Sequence, residues 1–155
     1  MPAIRQITET HEPDSPLIQQ LANVFRAARQ DRLQFLIDLH DMDEDRRFLS
    51  KVLLPANQVW VAETEAGVVG FIAFANGWVN QLYVAPEFQH WGLGTRLLDI
   101  ARRSNSILRL WVFEVNSPAI RFYASRGFSV IDRTDGRGNE AGMPDVLMEW
   151  KDLGK

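Results

Sequence analysis

Two apolar segments separated by Asn76-Gly77 constrain the fold of this chain more than any other feature of its sequence. Residues 68–75 before the pair and residues 78–84 after it are rich in the branched and aromatic side chains typical of β-strands. Asn-Gly between two such segments is a strong signal for a two-residue β-hairpin, because both residues readily adopt positive φ angles. A further strand-like segment, residues 59–62, precedes a turn at residues 65–67. The middle of the chain is therefore predicted to be an antiparallel meander.

Further elements flank this meander on both sides. Upstream, the sequence predicts a first strand at residues 4–8, a helix over residues 17–29, a helical pattern over residues 33–40, and a helix over residues 43–53 that Pro55 ends. Downstream, it predicts a helix over residues 95–103, a strand over residues 107–113, a helix from Asn116 to Gly127, and strands over residues 128–133 and 145–150, with a loop at residues 134–142. This order predicts an α+β fold around one mixed, mostly antiparallel sheet with helices on both faces.

Length and composition exclude several classes of function. A chain of 155 residues has the size of one domain, and the absence of cysteine removes disulfides, thiolate metal sites and a cysteine nucleophile. The net charge of −3 argues against a general attraction to nucleic acid, and the longest apolar run is too short to span a bilayer. His11, His40 and His90 lack metal-ligand spacing. We therefore expect one cytoplasmic domain over residues 1–155, with no metal and no nucleic-acid or membrane partner.

Residues 82–95 have the pattern of a strand, a glycine-containing loop and a helix. Gly92 and Gly94 allow the backbone to approach a ligand closely, and the first N–H groups of the helix lack internal partners. Together with the helix dipole they predict an anion site that suits a pyrophosphate. A P-loop would require Lys where Thr95 stands, and a dinucleotide fingerprint would require a third glycine at Leu97. The remaining pattern is Gln-x-x-Gly-x-Gly, which ends at Gly94.

A second motif lies at residues 116–128. It reads Asn-x-x-Ala-x-x-Phe-Tyr-x-x-x-Gly-Phe, and it follows a predicted strand and occupies a predicted helix. In this order and spacing the two motifs resemble the pyrophosphate loop and the second signature of the GNAT superfamily of acetyltransferases. The resemblance extends over about residues 59–150. It implies an acetyl-CoA-dependent N-acetyltransferase with a single GNAT-like domain, in which a parallel pair of strands splays apart to admit the pantetheine arm of the cosubstrate.

The resemblance implies a cofactor site made mainly of backbone groups. Groups near Leu82 and Val84, on the first splayed strand, would pair with the pantetheine amides and hold the acetyl carbonyl. The pyrophosphate would be bound by the backbone N–H groups of Gln89, His90, Trp91, Gly92, Leu93, Gly94 and Thr95. The ribose phosphate could meet an arginine of the following helix, with plain solvent exposure as the alternative for Arg96, Arg102 and Arg103. Asn116 would contact coenzyme A, cap its helix, or do both.

Tyr123 is the candidate general acid, and the general base stays open. The resemblance implies that Tyr123 protonates the departing thiolate, and a phenol with an ordinary pKa of about 10 carries its proton at neutral pH. The alternative is a packed aromatic residue with a satisfied hydroxyl. Where many members of the family carry a Glu or His base, this chain has Trp78 and Asn80. A water held by Asn80, the carboxylate of Glu114, or no base at all remain as alternatives.

The sequence leaves open both the identity of the acceptor amine and the choice between an enzyme and a binding module. The acceptor amine could be a protein N-terminus, a lysine or a small-molecule amine, and the acidic residues 41–45 could attract a cationic amine or form a solvated surface. In the family the N-terminal helices line the acceptor groove, so His40, Phe35 and Trp78 are candidates to shape it, with ordinary packing as the alternative. A non-catalytic acyl-CoA-binding module would keep the glycine loop and could lose Tyr123. Homodimers are common in the family, and the resemblance leaves a homodimer open.

Overall fold

The computed structural model describes residues 1–154, which contain seven strands and six α-helices. The strands are β1 Ala3–Ile7, β2 Gln58–Thr64, β3 Gly67–Ala75, β4 Trp78–Val84, β5 Ile107–Phe113, β6 Ser129–Thr134 and β7 Asp145–Lys151. The α-helices are α1 Pro16–Arg29, α2 Gln34–Leu39, α3 Met42–Phe48, α4 Leu54–Ala56, α5 Leu93–Arg103 and α6 Ser117–Ser125. No helix within residues 1–154 combines the length and the apolar character needed to cross a membrane.

The seven strands form one sheet in the order β1-β2-β3-β4-β5-β7-β6. Every neighbouring pair is antiparallel except β4 and β5, which run parallel. The predicted α+β fold with a mixed, mostly antiparallel sheet is therefore confirmed. The last strand, β7, lies between β5 and β6. After α6 the chain forms the edge strand β6, and it then returns so that β7 is inserted between β5 and β6.

The hairpin between β3 and β4 has the geometry that the sequence predicted. Asn76 and Gly77 both have positive φ angles, of 54° and 82°, as a type I′ turn requires. Ala75 and Trp78 flank the turn as register partners. A Cβ atom on Gly77 would lie 3.3 Å from the carbonyl oxygen of Ile107, so the turn packs closely against the first residue of β5.

Helices cover both faces of the central strands. α1 and α3 pack on one face, where the largest buried side chains include Ile18, Leu21, Leu49, Val61 and Phe71. α5 and α6 pack on the other face, where the core includes Leu97, Leu98, Leu108, Leu110 and Met148. Along β4 the side chains alternate between the two cores: Tyr83 joins the first, and Leu82 and Val84 join the second. Because both faces of β4 are covered, its edge is the part that remains for a ligand.

Two details of the N-terminal helices differ from the sequence prediction. Pro55 does not end its helix, which continues as α4 to Ala56. A π-helical turn over Leu49–Leu53 comes first, and the Leu54 N–H donates to the Leu49 carbonyl five residues back. The regular hydrogen-bond ladder is thus already interrupted where Pro55 enters, which lowers the cost of its missing N–H. The helical pattern predicted over residues 33–40 forms only over α2, and His40 is extended with φ −140°.

Candidate functional site

The parallel strands β4 and β5 meet at one end and separate toward the other. Within residues 1–154, Trp78 and Arg109 are the one pair of residues in register between these strands. The Arg109 N–H donates to the Gly77 carbonyl over 2.8 Å at the same end. Beyond this contact, the backbone edges of the two strands face a gap instead of each other. The splayed parallel pair that the family resemblance implied is present.

A β-bulge on β4 lies directly beyond this contact. Phe74 of β3 opposes Val79 and Ala73 opposes Gln81, which leaves Asn80 without a partner on β3. A bulge bends its strand and increases the local twist, and bulges are common beside functional sites. The bulge therefore gives a physical reason why β4 turns away from β5 at this point. Nothing in the sequence of β4 predicts this bulge.

The backbone groups that face the gap follow from strand alternation. The Ala85 N–H donates to the Val69 carbonyl over 2.8 Å, so Ala85 directs its peptide groups toward β3. In an antiparallel pair the direction alternates along the strand, and the groups of Leu82 and Val84 therefore face β5. The Val84 carbonyl accepts a hydrogen bond from Nε2 of Gln89 over 3.1 Å. The N–H groups of Leu82 and Val84 and the carbonyl of Leu82 therefore remain available to a ligand.

The space between the separated strands is a narrow cavity of about 90 Å³, which we call the cleft. Strands β4 and β5 form its side walls, and α6 contributes Ala119 and Tyr123. None of the residues that line the cleft carries a formal charge; they are Leu33, Val79, Asn80, Gln81, Leu82, Tyr83, Leu110, Trp111, Val112, Phe113, Asn116, Ala119 and Tyr123. The cleft can therefore offer hydrogen bonds and apolar contacts but no ion pair.

Tyr123 lies in the wall of the cleft. Its side chain is buried, and its ring makes edge-to-face contacts with Phe122 and Phe128 at centroid distances of 5.2 and 5.4 Å. Burial, and to a smaller extent electrostatic repulsion from Tyr83, raises the pKa of Tyr123. The hydroxyl therefore keeps its proton at neutral pH. The ring packs as a core residue, and Tyr123 also lines the cleft.

The glycine loop leads from the open end of the cleft into α5. His90 and Gly92 have left-handed φ angles of 72° and 78°, and a Cβ atom on Gly92 would meet no other group within 4 Å. In the part of the chain that the structure describes, the backbone N–H groups of residues 90–95 make no hydrogen bond to a protein acceptor. Unpaired N–H groups at a helix N-terminus form an anion site.

Trp91 and Leu93 occupy opposite sides of this loop. Leu93 is fully buried in a small core with Ala62 and Val69, so its side chain anchors the loop to the sheet. Trp91 is 51% exposed and packs edge-to-face on Phe88 with 5.1 Å between the ring centroids. Of these two residues, Leu93 can offer a ligand only its backbone, whereas Trp91 can also offer an aromatic surface.

Gly94 and Thr95 connect the glycine loop to the second motif. A Cβ atom on Gly94 would lie 3.2 Å from Cζ of Phe122, so a larger residue would push α5 and α6 apart. The Thr95 hydroxyl oxygen accepts a hydrogen bond from Nε of Arg126 over 2.8 Å. The two motifs are therefore in direct contact, and this contact holds the helix that carries Tyr123 against the glycine loop.

The predicted contribution of Gln89 to pyrophosphate binding needs correction. Its backbone N–H donates to the Pro86 carbonyl over 3.3 Å and closes the short 3₁₀ turn before the loop. The side chain, as described above, holds the Val84 carbonyl. Gln89 thus shapes the end of β4 and the start of the loop, and the free donors begin at residue 90.

The arginines proposed for the ribose phosphate are also engaged within the protein. Nη1 of Arg96 donates to the Pro2 carbonyl over 3.0 Å. Arg102 pairs with Asp99 over 3.2 Å and lies 5.2 Å from the ring centroid of Trp150. A phosphate contact from Arg96 or Arg102 would have to use N–H donors that these contacts leave over. Their observed role is to fasten α5 to the rest of the fold.

Asn116 fulfils one of its two predicted roles directly. Its Oδ1 accepts a hydrogen bond from the Ala119 N–H over 3.4 Å, which caps α6. Asn116 also lines the cleft, at the end of the separated strands. A contact to coenzyme A is compatible with this position and stays a prediction.

A second cavity of about 510 Å³, which we call the groove, lies on the α1 side of the sheet. Its volume is within the range of small-molecule sites. Gln81 of β4 lines both the groove and the cleft, so the two cavities adjoin. Trp78 and Phe35 do not line the groove, and Phe35 packs edge-to-face on Phe113. The lining residues are Phe25, Arg29, Leu36, Leu39, His40, Glu44, Asp45, Arg47, Phe48, Gln81 and Glu140.

The carboxylates of the groove all have basic partners. Asp45 is buried and pairs with Arg26 over 2.5 Å, and Arg26 also donates to the His40 carbonyl over 3.1 Å. The His40 ring contacts Glu44 through Nδ1 over 2.9 Å and Glu140 through Nε2 over 2.7 Å. The hydrogen bond to Glu44 raises the pKa of His40 and lowers the pKa of Glu44. His40 therefore joins the N-terminal helices to the loop before β7.

Two residues beside these carboxylates, Arg29 and Tyr83, were absent from the sequence predictions. Nε of Arg29 donates to the Tyr83 hydroxyl over 3.1 Å, and Tyr83 also lines the cleft. No motif marks Arg29, because a basic residue in the last turn of a helix is common for electrostatic reasons alone. Tyr83 could have been found, since it lies between two predicted cofactor residues and strand alternation directs it to the opposite face.

Asn80 is the one base candidate that lines the cleft. Its side-chain amide donates to Oδ1 of Asn57 over 2.7 Å, which orients the side chain. Glu114 lines neither cavity and lies 3.5 Å from Arg133. This geometry favours Asn80, acting through a water, over Glu114.

The match to a family model covers all of the residues that line the cleft except Leu33. Residues 55–130 match the acetyltransferase (GNAT) domain, and this range contains β4, the glycine loop and α6. The chain belongs to the GNAT superfamily. The resemblance drawn from the two motifs is thereby confirmed.

Similar proteins support both the family and the fold of this GNAT protein. It is 31% identical over 94 residues to the peptidyl-lysine N-acetyltransferase YiaC of Escherichia coli, and this alignment covers 60% of the chain and 63%, less than two thirds, of YiaC. The solution structure of the apo form of YjaB from Escherichia coli matches with a TM-score of 0.74 at 22% identity, over 97% of both chains. The structure of yncA from Salmonella typhimurium with its cofactor acetyl-CoA matches with a TM-score of 0.66 at 22% identity, over 97% of this chain and 94% of yncA.

Proposed function

We propose that this GNAT protein transfers the acetyl group of acetyl-CoA directly to a primary amine. The observation that carries the proposal is one continuous path of complementary groups. The path runs from the free N–H groups of residues 90–95, along the unpaired edge of β4 at Leu82 and Val84, to the protonated Tyr123. Pyrophosphate, amide-containing arm and thioester follow one another in the same order along acetyl-CoA. YiaC, which is named a peptidyl-lysine N-acetyltransferase, supports the same reaction class.

The residues along this path fit the chemical groups of acetyl-CoA. The N-terminus of α5 offers several N–H donors and the positive end of an 11-residue helix to the pyrophosphate. The open space beside Gly92 leaves room for close approach of the phosphate oxygens. The N–H groups of Leu82 and Val84 offer donors to the arm and to the acetyl carbonyl, where negative charge develops during transfer. When bound, acetyl-CoA supplies an activated acetyl thioester.

Transfer requires a carbon–nitrogen bond to form, a carbon–sulfur bond to break and three proton movements, one of which restores Tyr123. The amine nitrogen bonds to the acetyl carbon while the carbon–sulfur bond breaks, and the sulfur receives the electron pair of that bond. Tyr123 donates its hydroxyl proton to the sulfur and regains a proton from solvent, while the amine nitrogen releases one proton. The apolar surroundings that raise the pKa of Tyr123 also disfavour a bare thiolate beside it, so protonation assists its departure.

Loss of the amine proton places few demands on the protein if the acceptor is an α-amine. The ordinary pKa of an α-amine is about 7.7–8.0, whereas that of a lysine is about 10.4, so an α-amine is far more often unprotonated at neutral pH. Among the base candidates, Asn80 lies at the cleft and can hold a water that accepts the proton. No titrating base is then needed.

The test is a panel of primary amines with release of free coenzyme A as the readout. We expect one group of amines to be acetylated far above the uncatalysed rate, with the product verified by its mass. Calorimetry on the same protein measures acetyl-CoA binding. A non-catalytic acyl-CoA-binding module would bind acetyl-CoA without releasing coenzyme A for any amine, and that result would overturn the proposal.

A further inference from the structure

Arg29 is a half-buried cation without a carboxylate partner. Within residues 1–154, no carboxylate lies within ion-pair distance of Arg29, whereas Arg26, one turn earlier on α1, is paired with the buried Asp45. The Arg29 guanidinium lies 3.5 Å from the ring centroid of Phe25 and 5.2 Å from that of Tyr83. These rings remove water from its faces without supplying a counter-charge. A partly desolvated cation of this kind gains free energy when an anion binds beside it.

The contacts of Arg29 also hold its planar fork in one orientation. Nε donates to the Tyr83 hydroxyl over 3.1 Å, and Phe25 packs against the guanidinium face. In the described part of the chain, neither terminal nitrogen of Arg29 donates a hydrogen bond to a protein acceptor. Because the Tyr83 oxygen accepts from Arg29, its own O–H can donate to the same anion. A fixed fork of this kind matches the two oxygens of a carboxylate.

The charges of the groove are arranged so that positive charge is left over at its inner end. Glu44 and Glu140 are 45% and 68% exposed at the mouth, and His40 lies between them. Asp45, which is buried, is neutralised by Arg26. The acidic residues 41–45 are therefore poor candidates for attracting a cationic amine, since Asp43 pairs with Arg46 and Asp41 caps α3 as well. Among the described residues, two cations of the groove, Arg29 and Arg47, have no carboxylate partner. Arg47 is exposed to solvent, whereas Arg29 is half-buried, so Arg29 gains more from a bound anion.

We propose that Arg29 binds a carboxylate of the acceptor, so that the protein acetylates the α-amino group of free amino acids. This inference rests on the proposed function and names the acceptor class for the same site. Arg29 holds Tyr83, which lines the cleft, and Gln81 lines both cavities. A carboxylate held by Arg29 would therefore lie beside two residues of the cleft wall, and the proposal places the amine on the adjacent carbon toward the cleft. The groove, at about 510 Å³, has room for the side chain of an amino acid.

The activity test compares each amino acid with its amide, which has the same amine and side chain but no carboxylate. We expect kcat/KM of the wild-type protein to be at least about tenfold higher for the preferred acid than for its amide, as is typical for a charge-assisted hydrogen bond. Arg29→Met removes the cation, so the acid and the amide should become nearly equal substrates. The matched control is Arg32→Met, because Arg32 is exposed beside Asp31 and lines neither cavity. It should keep the wild-type preference.

A binding test decides the inference without acetyl transfer. An N-acetyl amino acid is added to the protein alone, and its binding is measured by calorimetry in every variant. In the proteins that keep Arg29, the NMR signal of the Arg29 Nε–H group is followed as well. We expect a saturable shift in the wild-type protein and in Arg32→Met, and no binding by Arg29→Met, whose folding is checked by its melting temperature. Arg29→Lys keeps the charge, loses the fork, and should retain part of the binding.

The outcomes separate this inference from the proposed function. Equal kcat/KM for acid and amide, lysine peptides that outperform all free amino acids, or carboxylate binding unchanged in Arg29→Met would each overturn the role of Arg29. If no amine at all is acetylated, the proposed function fails, and the NMR titration still decides whether Arg29 binds a carboxylate.

Discussion

The cleft and the groove adjoin at Gln81, yet they are built in opposite ways. The cleft is lined by residues without formal charge. Most of the donors proposed for acetyl-CoA, in the cleft and in the adjoining glycine loop, are backbone N–H groups whose direction follows from β4 and α5. The groove is lined by six ionisable side chains, namely Arg29, His40, Glu44, Asp45, Arg47 and Glu140. Backbone donors persist when side chains change, whereas a site made of side chains changes with every substitution. In the function proposed above, backbone groups hold the cosubstrate, whereas side chains of the groove select the acceptor.

The largest expected effect concerns Tyr123, the side chain of the cleft that we propose as the general acid. Tyr123→Phe removes the proton donor and keeps the ring between Phe122 and Phe128. We expect kcat to fall by about 10²-fold or more, the usual range for loss of a general acid. Acetyl-CoA affinity and the melting temperature should change little. Wild-type turnover in this variant, with chemistry shown to be rate-limiting, would reduce Tyr123 to a packing residue and leave the cleft a purely backbone site.

The next largest effect should appear on the groove side alone. Arg26→Met leaves the buried Asp45 carboxylate without its partner and frees the His40 carbonyl. We expect a loss of about 2 kcal/mol in the free energy of unfolding, measured by denaturant titration, because a buried charge loses its compensation. The KM for the acceptor should rise, while the Kd for acetyl-CoA stays near its wild-type value.

Arg5→Met is the matched control for this variant. Arg5 pairs with Glu63 over 2.6 Å at the sheet edge, where both side chains are much more exposed. Loss of an exposed pair should cost less than about 1 kcal/mol. Equal destabilisation by both substitutions, or a matching loss of acetyl-CoA affinity in Arg26→Met, would contradict the separation of the two sites.

A smaller effect is expected from a substitution in the glycine loop. This effect should appear in acetyl-CoA binding and leave the groove unchanged. Gly92→Val places a β-branched residue at φ 78° and directs its side chain into the space beside the N–H donors. We expect about 1–2 kcal/mol of strain and an acetyl-CoA affinity reduced by about tenfold or more, with the groove unaffected. Calorimetry measures the affinity. An unchanged Kd in a folded Gly92→Val protein would remove the pyrophosphate from this loop.

The smallest effect is a pH dependence confined to the groove. The pKa of His40 is raised, so its contribution to stability is complete below its ordinary value of 6.5 and is lost as the pH rises through the raised value. The pKa of Glu44 is lowered from 4.5, so its contribution is present above 4.5 and is lost as the pH falls through the lowered value. We expect the melting temperature of the wild type to exceed that of His40→Gln most clearly between pH 4.5 and 6.5. A difference that is the same at pH 5.5 and pH 9 would show that the ring acts by packing and not by charge.

Much of the cleft could be predicted from the sequence, because its elements are encoded by neighbouring residues. Asn76-Gly77 specifies a turn through its own φ preferences, and the strand predicted over residues 107–113 is β5 as observed. The bulge at Asn80 could not be predicted, because it is a property of the β3–β4 pairing and not of either strand alone. The engaged N–H group of Gln89 was also not predicted. It donates to the Pro86 carbonyl because residues 86–88 form a 3₁₀ turn, and no sequence pattern had indicated that turn.

The family, the sheet and the position of the glycine loop could be read from local sequence features, since hydrophobic periodicity, turn chemistry and a glycine-bounded helix start act over a few residues. The groove, in contrast, depends on tertiary contacts. Its lining brings Phe25 and Glu140 into one cavity, although more than a hundred residues separate them in the chain. The free charge on Arg29 is likewise visible only when every carboxylate around it has been assigned to another partner. Long-range packing determines which charges are neutralised, and local patterns carry no information about it.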